Sequence, residues 1–284
     1  MGRPMPVAAS SAVELALVGP SRPATVVAAT PHATYLAIDD ADGTMVCVAS
    51  AEAVRVPCAV ILESRALPPQ VPAGTIATVG KGNLIVAGAS FRVTRWWRPP
   101  RPRGLGAIAP ARVAAAVRWL TGRVADPLDG QGRAAVADLV HALQMGSSPD
   151  AAVARLLGRG PGLTPTGDDV LAGALVSLNA LGAPAARLLA AAVAASAPDA
   201  TTTVSVALLR HAARGECIPQ LADLLEAVAH GADSASPLPR AAGALLAVGH
   251  CSGAGLLHGV LVGFAIAHTR VAHRVLPASS TAAA

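Results

Sequence analysis

Residues 98–104 read RPPRPRG, and the pattern of the chain differs on the two sides of this stretch. Three prolines so close together exclude a helix interior and a central strand, because proline fixes φ and lacks an N–H group. Before the stretch, short runs rich in Val, Ile and Thr alternate with turn residues, which is typical of strands. After it, apolar residues recur with the helical period of 3.6. The stretch therefore predicts a boundary between a strand-rich part and a helical part.

The predicted fold class is α+β, with an N-terminal β-rich subdomain followed by an all-helical C-terminal domain. The subdomain spans 1–98, a Pro/Arg-rich linker spans 99–108, the helical domain spans 109–276, and a frayed tail spans 277–284. Strands are predicted at 13–18, 25–29, 34–38, 45–49, 58–62, 76–79, 84–86 and 91–94. Helices are predicted at 110–120, 131–144, 149–157, 168–181, 185–195, 199–214, 219–230, 239–248 and 252–268.

The composition excludes several classes of protein. The 284 residues are 53% hydrophobic and 14% charged, which excludes a disordered chain and a coiled coil rich in Glu and Lys. Residues 171–197 and 241–268 are long and apolar, but they are rich in Ala and Gly and interrupted by polar residues. They predict buried central helices and no membrane insertion. The four cysteines form no C-x-x-C pair, which favours reduced thiols and a cytoplasmic protein.

The formal charge is +5, and arginine supplies almost all of the positive side chains. Arginines and tryptophans are mixed at residues 92–103, which could form a nucleic-acid-binding patch. No nucleic-acid-binding motif accompanies the patch. The simpler interpretation, tryptophans packed at the boundary and arginines in solvent around a Pro-rich linker, predicts no nucleic-acid partner.

The most informative segment is GRGPGLTPTGDD, residues 158–169. Its glycines and prolines predict a loop, and a helix is expected to begin near Asp168. A helix start offers unpaired N–H donors and a positive dipole end, which suit an anion. Thr166 and Asp169 could instead form a simple T-x-x-D capping arrangement. Capping explains neither Asp168 nor the long loop. Two adjacent carboxylates, Asp168 and Asp169, are also suited to binding Mg²⁺ or to transferring a proton.

Two further segments have the same character. Residues 199–215 read DATTTVSVALLRHAARG, in which Thr202 and Ser205 share one helix face; their hydroxyls could bind an anion or bond back to carbonyls one turn earlier. Residues 249–259 read GHCSGAGLLHG, another small-residue turn that opens a helix. His250 is a candidate general acid or base there, although a lone histidine is more often a structural residue.

Taken in order, GPGLTPTGDDVLAG, TTTVSVALLRHAARGE and GHCSGAGLLHG resemble a bacterial family that includes one subunit of the oxamate carbamoyltransferase of anaerobic allantoin breakdown. The first segment is the most specific, since the family pattern is close to G-L-T-P-S-G-D-D-x-L-A-G. Thr166 replaces the serine of that pattern and keeps its hydroxyl. The resemblance covers roughly residues 100–270 and departs at Gly255, where an aspartate is expected.

The resemblance implies carbamoyl transfer from carbamoyl phosphate to oxamate, performed with other protein subunits. We predict that three helix starts surround one small anionic substrate. Asp168, Asp169 and His250 are the predicted catalytic residues, and the two aspartates could hold Mg²⁺. The predicted substrate-binding residues are Gly162, Thr164, Thr166, Gly167, Thr202, Ser205, Ser252 and Gly253. The alternative, favoured by Gly255, is a non-catalytic subunit that binds a small anion or acts as a scaffold.

Overall fold

The computed structural model describes residues 3–40, 43–63, 65–124, 126–231 and 236–268. They form two compact units. The first contains the residues up to Pro100 with the short pieces 206–208 and 217–219. The second contains 101–205, 209–216 and the described residues from Gln220 onward. The tail predicted at 277–284 lies outside the described residues.

The first unit consists of eight strands and one short helix among its described residues. They are β1 (Met5–Ser10), α1 (Glu14–Val18), β2 (Arg22–Thr30), β3 (Ala33–Ile38), β4 (Met45–Ala49), β5 (Ala59–Ile61), β6 (Ile76–Gly80), β7 (Asn83–Val86) and β8 (Ala89–Trp97). A 3-10 turn, Ser11–Val13, joins β1 to α1. The strands close into a barrel in the order β1-β5-β4-β3-β2-β6-β7-β8.

Strand alternation builds the core of this barrel. In β2, Ala24, Val26 and Ala28 are buried while the residues between them are partly exposed, as the two-residue period of a strand requires. Most neighbouring strands pair antiparallel. The pairs β1–β8 and β4–β5 are parallel. The core is made of small aliphatic side chains with few aromatics, in line with the composition.

The expectation of an N-terminal subdomain that is only rich in strands is wrong, because the strands form a closed eight-stranded barrel. An α+β description remains compatible with the whole chain, but it omits the closure. The missed strand is β1, which pairs with both β5 and β8 and so closes the barrel. Its sequence, MPVAAS, has weak strand propensity. Residues 14–18, predicted as part of a strand, form α1 instead.

The remaining described residues form nine α-helices. They are α2 (Pro110–Thr121), α3 (Gly130–Gln144), α4 (Asp150–Leu156), α5 (Thr166–Leu181), α6 (Ala185–Ala200), α7 (Thr203–Ala213), α8 (Pro219–His230), α9 (Leu238–Leu246) and α10 (Ser252–Ala267). The helix predicted at 199–214 begins later than expected. Asp199 belongs to the last turn of α6, and Thr202 caps the start of α7.

The helices α5 and α10 form the centre of the second unit, and both are buried on nearly all sides. Glycines let their backbones approach closely. A Cβ on Gly173 would lie 2.2 Å from the carbonyl oxygen of Leu256, and one on Gly259 would lie 2.2 Å from that of Val170. Each helix has 16 residues, about 24 Å of length. Within the part of the chain that the structure describes, no helix is long and apolar enough to cross a membrane.

Candidate functional site

The loop 158–165, between α4 and α5, is the point at which three helix starts meet. The hydroxyls of Thr164 in the loop and Ser252 at the start of α10 lie 2.9 Å apart. At the start of α7, the hydroxyl of Thr202 donates to the carbonyl oxygen of Leu163 at 2.5 Å. The segments singled out from the sequence are therefore neighbours in the second unit.

Asp168 is a buried anchor of this arrangement. Its Oδ1 accepts a hydrogen bond from the backbone N–H of Gly158 at 2.8 Å. Its Oδ2 accepts from the hydroxyl of Thr201. Because both oxygens are engaged and the residue is only 2% exposed, Asp168 ties the loop and the end of α6 to α5. This geometry gives it a structural task, and its predicted catalytic role stays a prediction.

Asp169 is a buried carboxyl group whose hydrogen-bonding capacity the fold does not fully use. It is 7% exposed, and its Oδ2 is buried without a hydrogen-bond partner among the described residues. Hydrogen bonds connect its carboxyl group to the side chains of Ser252 and Thr164. A buried acceptor without a partner costs about 1–3 kcal/mol, so the open oxygen calls for a functional explanation.

Burial raises the pKa of Asp169 from its ordinary value of 3.8 to about 8. The nearby charge of Asp168 raises the pKa further, while the hydrogen bonds from Ser252 and Thr164 lower it. A helix N-terminus favours a carboxylate by only about 0.3–1 kcal/mol, which is too little to offset the loss of hydration. Asp169 is therefore largely protonated at neutral pH.

Gly255 lies directly against Asp169. A Cβ on this glycine would lie 2.7 Å from the Cβ of Asp169 and 3.2 Å from the carbonyl oxygen of Thr166. An aspartate at 255, which the family resemblance implies, does not fit unless Asp169 moves. Glycine at 255 thus fits the position that Asp169 takes in this chain.

The capping interpretation of Thr166 and Asp169 is wrong. The helix α5 starts at Thr166, its N-cap residue is Pro165, and no side chain caps it. The hydroxyl of Thr166 instead contacts the Cys251 sulfur at 3.7 Å. Capping does occur at α7, where Thr202 accepts from the backbone N–H of Ser205 at 3.0 Å. Asp169 therefore does not take part in capping α5.

The other predicted site residues differ in their surroundings. Gly167 and Gly253 are buried at close helix contacts, where an added Cβ would lie 2.0 Å from the carbonyl oxygens of Leu156 and Leu245. Gly162 is exposed in the loop. The hydroxyl of Ser205 contacts the Leu163 carbonyl oxygen at 3.4 Å, and His250 is exposed in the turn before α10.

In this structure the aspartate pair offers Mg²⁺ few free charged oxygens. This ion prefers charged carboxylates with lone pairs to spare, but Asp168 uses both oxygens on protein donors and Asp169 is largely protonated. Among the described residues, no group of three or more His, Cys, Asp or Glu side chains could hold a metal ion. Binding of Mg²⁺ by this pair stays a prediction.

A second polar cluster, around Glu216, was not found from the sequence. This buried carboxylate accepts from Arg101 on one oxygen, and its other oxygen lies 2.5 Å from Nδ1 of His211 and 3.4 Å from Nε of Arg214. Burial alone would raise the pKa of Glu216, but the hydrogen bonds and charges of His211 and the arginines lower it to about 2. The sequence signal was the pairing of His211 and Glu216, five residues apart across a glycine.

A buried carboxyl with a raised pKa and an open oxygen, beside two hydroxyls, has the character of a site for a small polar ligand or for proton transfer. Residues 156–264 match the model of a family described as oxamate carbamoyltransferase subunit AllH. The match covers all the predicted site residues, and the chain resembles this family over that segment. No solved structure matches the chain.

Proposed function

We propose that this chain is a subunit of a carbamoyltransferase and that its Asp169 cluster, formed by Thr164, Asp169 and Ser252, binds an oxamate-like amide. The family match over 156–264 supports the class of reaction. The observation that carries the proposal is the open, buried Oδ2 of Asp169 beside two hydroxyls. An amide N–H supplies the donor that this oxygen lacks, and the hydroxyls can bond to the carbonyl or carboxylate oxygens of the same small molecule.

The proposed chemistry assigns one proton transfer to Asp169. In carbamoyl transfer, the amide nitrogen of oxamate attacks the carbamoyl carbon of carbamoyl phosphate. The bond from that carbon to the phosphate oxygen breaks, and phosphate leaves with the electron pair. The nitrogen must lose a proton to give oxalurate. Asp169 accepts this proton in its deprotonated form, which is the minority form at neutral pH, and a pKa of about 8 makes that carboxylate a stronger base than an ordinary one.

The loop 158–165 controls access in this proposal. Thr164 lies in the loop and bonds to Ser252, so the loop closes over the carboxyl group of Asp169. Opening of the loop would let the ligand reach Oδ2, and closing would remove water from the reacting groups. Carbamoyl phosphate would bind at the N-termini of α5 and α10, neither of which has a side-chain cap. We infer that other subunits, cytoplasmic like this chain, complete the site.

The test is carbamoyl transfer by the complex assembled with its partner subunits. Asp169→Asn should lower the turnover rate by about 10²-fold or more, the usual contribution of a general base. Asp223→Asn is the matched control, because Asp223 is exposed on α8. Equal rates for the two variants, with normal assembly, would refute the catalytic role of Asp169.

The second candidate is a non-catalytic subunit that binds a small anion or organises its partners. The observation that favours it is the engagement of Asp168, Thr202 and Ser205 with protein groups. Calorimetric titration of the lone chain with oxamate, combined with the Asp169→Asn assay, separates the two. Oxamate binding together with an unaffected turnover rate in the variant complex supports the non-catalytic subunit.

A further inference from the structure

A cleft in the second unit lies at the far end of α5 from the Asp169 cluster. It is lined by residues 101–107, by the last residues of α5 with Gly182, and by Arg214 and Gly215. Its volume is about 440 Å³, which is within the range of small-molecule sites. Asp169 lies 10 to 12 residues before the lining residues of α5, which places the cleft and Asp169 about 15–18 Å apart along the helix. A ligand in the cleft would therefore not reach Asp169.

The charged side chains that line the cleft are all arginines. Arg101, Arg103 and Arg214 contribute, and no Asp or Glu is among the lining residues. Two of these arginines, Arg101 and Arg214, pair with the carboxylate of Glu216. Glu216 itself is buried, with only 4% of its surface exposed. One carboxylate cannot neutralise three guanidinium groups, so the cleft keeps a positive charge.

Contacts with Glu216 hold Arg101 and Arg214 in place and leave some of their N–H donors free to bind a ligand. Arg101 donates to Glu216 through Nη2, and Arg214 approaches it through Nε. A guanidinium group has five N–H donors in a fixed fork, so donors remain on both side chains. Arg103 is exposed and has no side-chain hydrogen bond or ion pair among the described residues. The N–H donors of Arg103 are therefore not engaged by protein groups among the described residues.

We propose that this cleft binds a small molecule carrying at least two negative charges as carboxylate or phosphate groups. Arg101, Arg103 and Arg214 would hold the oxyanions through charge-assisted hydrogen bonds, which arginine forms with both types of group in bidentate geometry. A bound dianion offsets the mutual repulsion of the three guanidinium groups. The proposal is independent of the carbamoyltransferase assignment, because it uses neither the Asp169 cluster nor its chemistry.

The test is calorimetric titration of the full chain with two probes, citrate for carboxylates and inorganic pyrophosphate for phosphates. Binding of either one supports the proposal and identifies the preferred oxyanion; binding of both shows that the cleft accepts either. Arg103→Ala should weaken binding by about tenfold, the loss expected for one charge-assisted hydrogen bond. This variant is preferred to Arg101→Ala, which would also remove a partner of buried Glu216.

Arg187→Ala is the matched control, because Arg187 is exposed on α6 and is not part of the cleft. It should bind both probes as the unmodified chain does. Asp169→Asn should also bind them unchanged, which separates the cleft from the Asp169 cluster. The proposal is overturned if neither probe binds, or if Arg103→Ala and Arg187→Ala have the same affinity.

Discussion

Replacing Asp169 by asparagine should change how the stability of the protein depends on pH. The pKa of Asp169 is raised in the folded protein, so the folded state binds more protons than the unfolded state between about pH 4 and pH 8. Stability therefore falls as the pH rises through this window. Below it the carboxyl group is protonated in both states and no penalty exists. Asparagine carries no charge at any of these pH values and removes this contribution.

The size of the effect follows from the two pKa values. A shift from 3.8 to about 8, at about 1.4 kcal/mol per tenfold change in proton affinity, corresponds to about 6 kcal/mol across the whole window. Between pH 5 and pH 8, the unmodified protein should lose about 4 kcal/mol through this group. The loss is large compared with the total stability of about 5–15 kcal/mol that is usual for a protein domain.

The assay is urea unfolding at pH 5, 6.5 and 8, followed by the far-ultraviolet circular dichroism of the helices. The difference in unfolding free energy between Asp169→Asn and the unmodified protein should grow steadily with pH in favour of the variant. Asp223→Asn, at an exposed position, should follow the unmodified protein. Parallel pH profiles for Asp169→Asn and the unmodified protein would show that the carboxyl group is charged in the folded state, and would refute the argument.

Three other substitutions test the contacts around the two clusters, each by urea unfolding at pH 7. Gly255→Ala should destabilise by about 1–3 kcal/mol, because its Cβ would lie 2.7 Å from that of Asp169; Gly243→Ala, with open space around the added Cβ, should not. Thr202→Ala should lower the unfolding free energy by about 1 kcal/mol, because α7 loses its N-terminal cap. Thr202→Ser, which keeps the hydroxyl group, should retain most of that stability. Glu216→Gln should lower the unfolding free energy by about 1–3 kcal/mol, because the buried carboxylate loses charge-assisted hydrogen bonds to His211 and Arg101; no measurable loss would contradict that role.

Most of the strands and helices could be predicted from the sequence, because each depends on a local pattern. Runs such as Met45–Ala49 and Asn83–Val86 have the residue types of strands and form them. Closure of the barrel could not be predicted, since it depends on pairing between Met5–Ser10 and Ala89–Trp97, which are distant in sequence. A strand of weak propensity is stabilised there by its two neighbours, and no local pattern carries that information.

The sequence predicted which segments meet at the candidate site better than it predicted the role of each residue there. Small residues and hydroxyls at three helix starts indicated that these segments meet, and Thr164 does contact Ser252 while Thr202 contacts Leu163. The sequence could not show which of Asp168 and Asp169 has which role. Adjacent residues on a helix point in directions about 100° apart, so the two side chains have different neighbours, which the sequence does not reveal. Their environments differ completely, with protein donors around Asp168 and an open oxygen on Asp169.

The relation between Gly255 and Asp169 changes the meaning of the missing aspartate. Taken from the sequence, glycine at 255 suggests lost chemistry, because the family pattern has a carboxylate there. In the structure, a Cβ at 255 would lie 2.7 Å from the Cβ of Asp169, so a side chain at 255 fits only if Asp169 shifts. Asp169 is also the group whose environment sets a pKa near neutral pH. Glycine at 255 therefore does not argue that the site lacks an acid, because Asp169 supplies one.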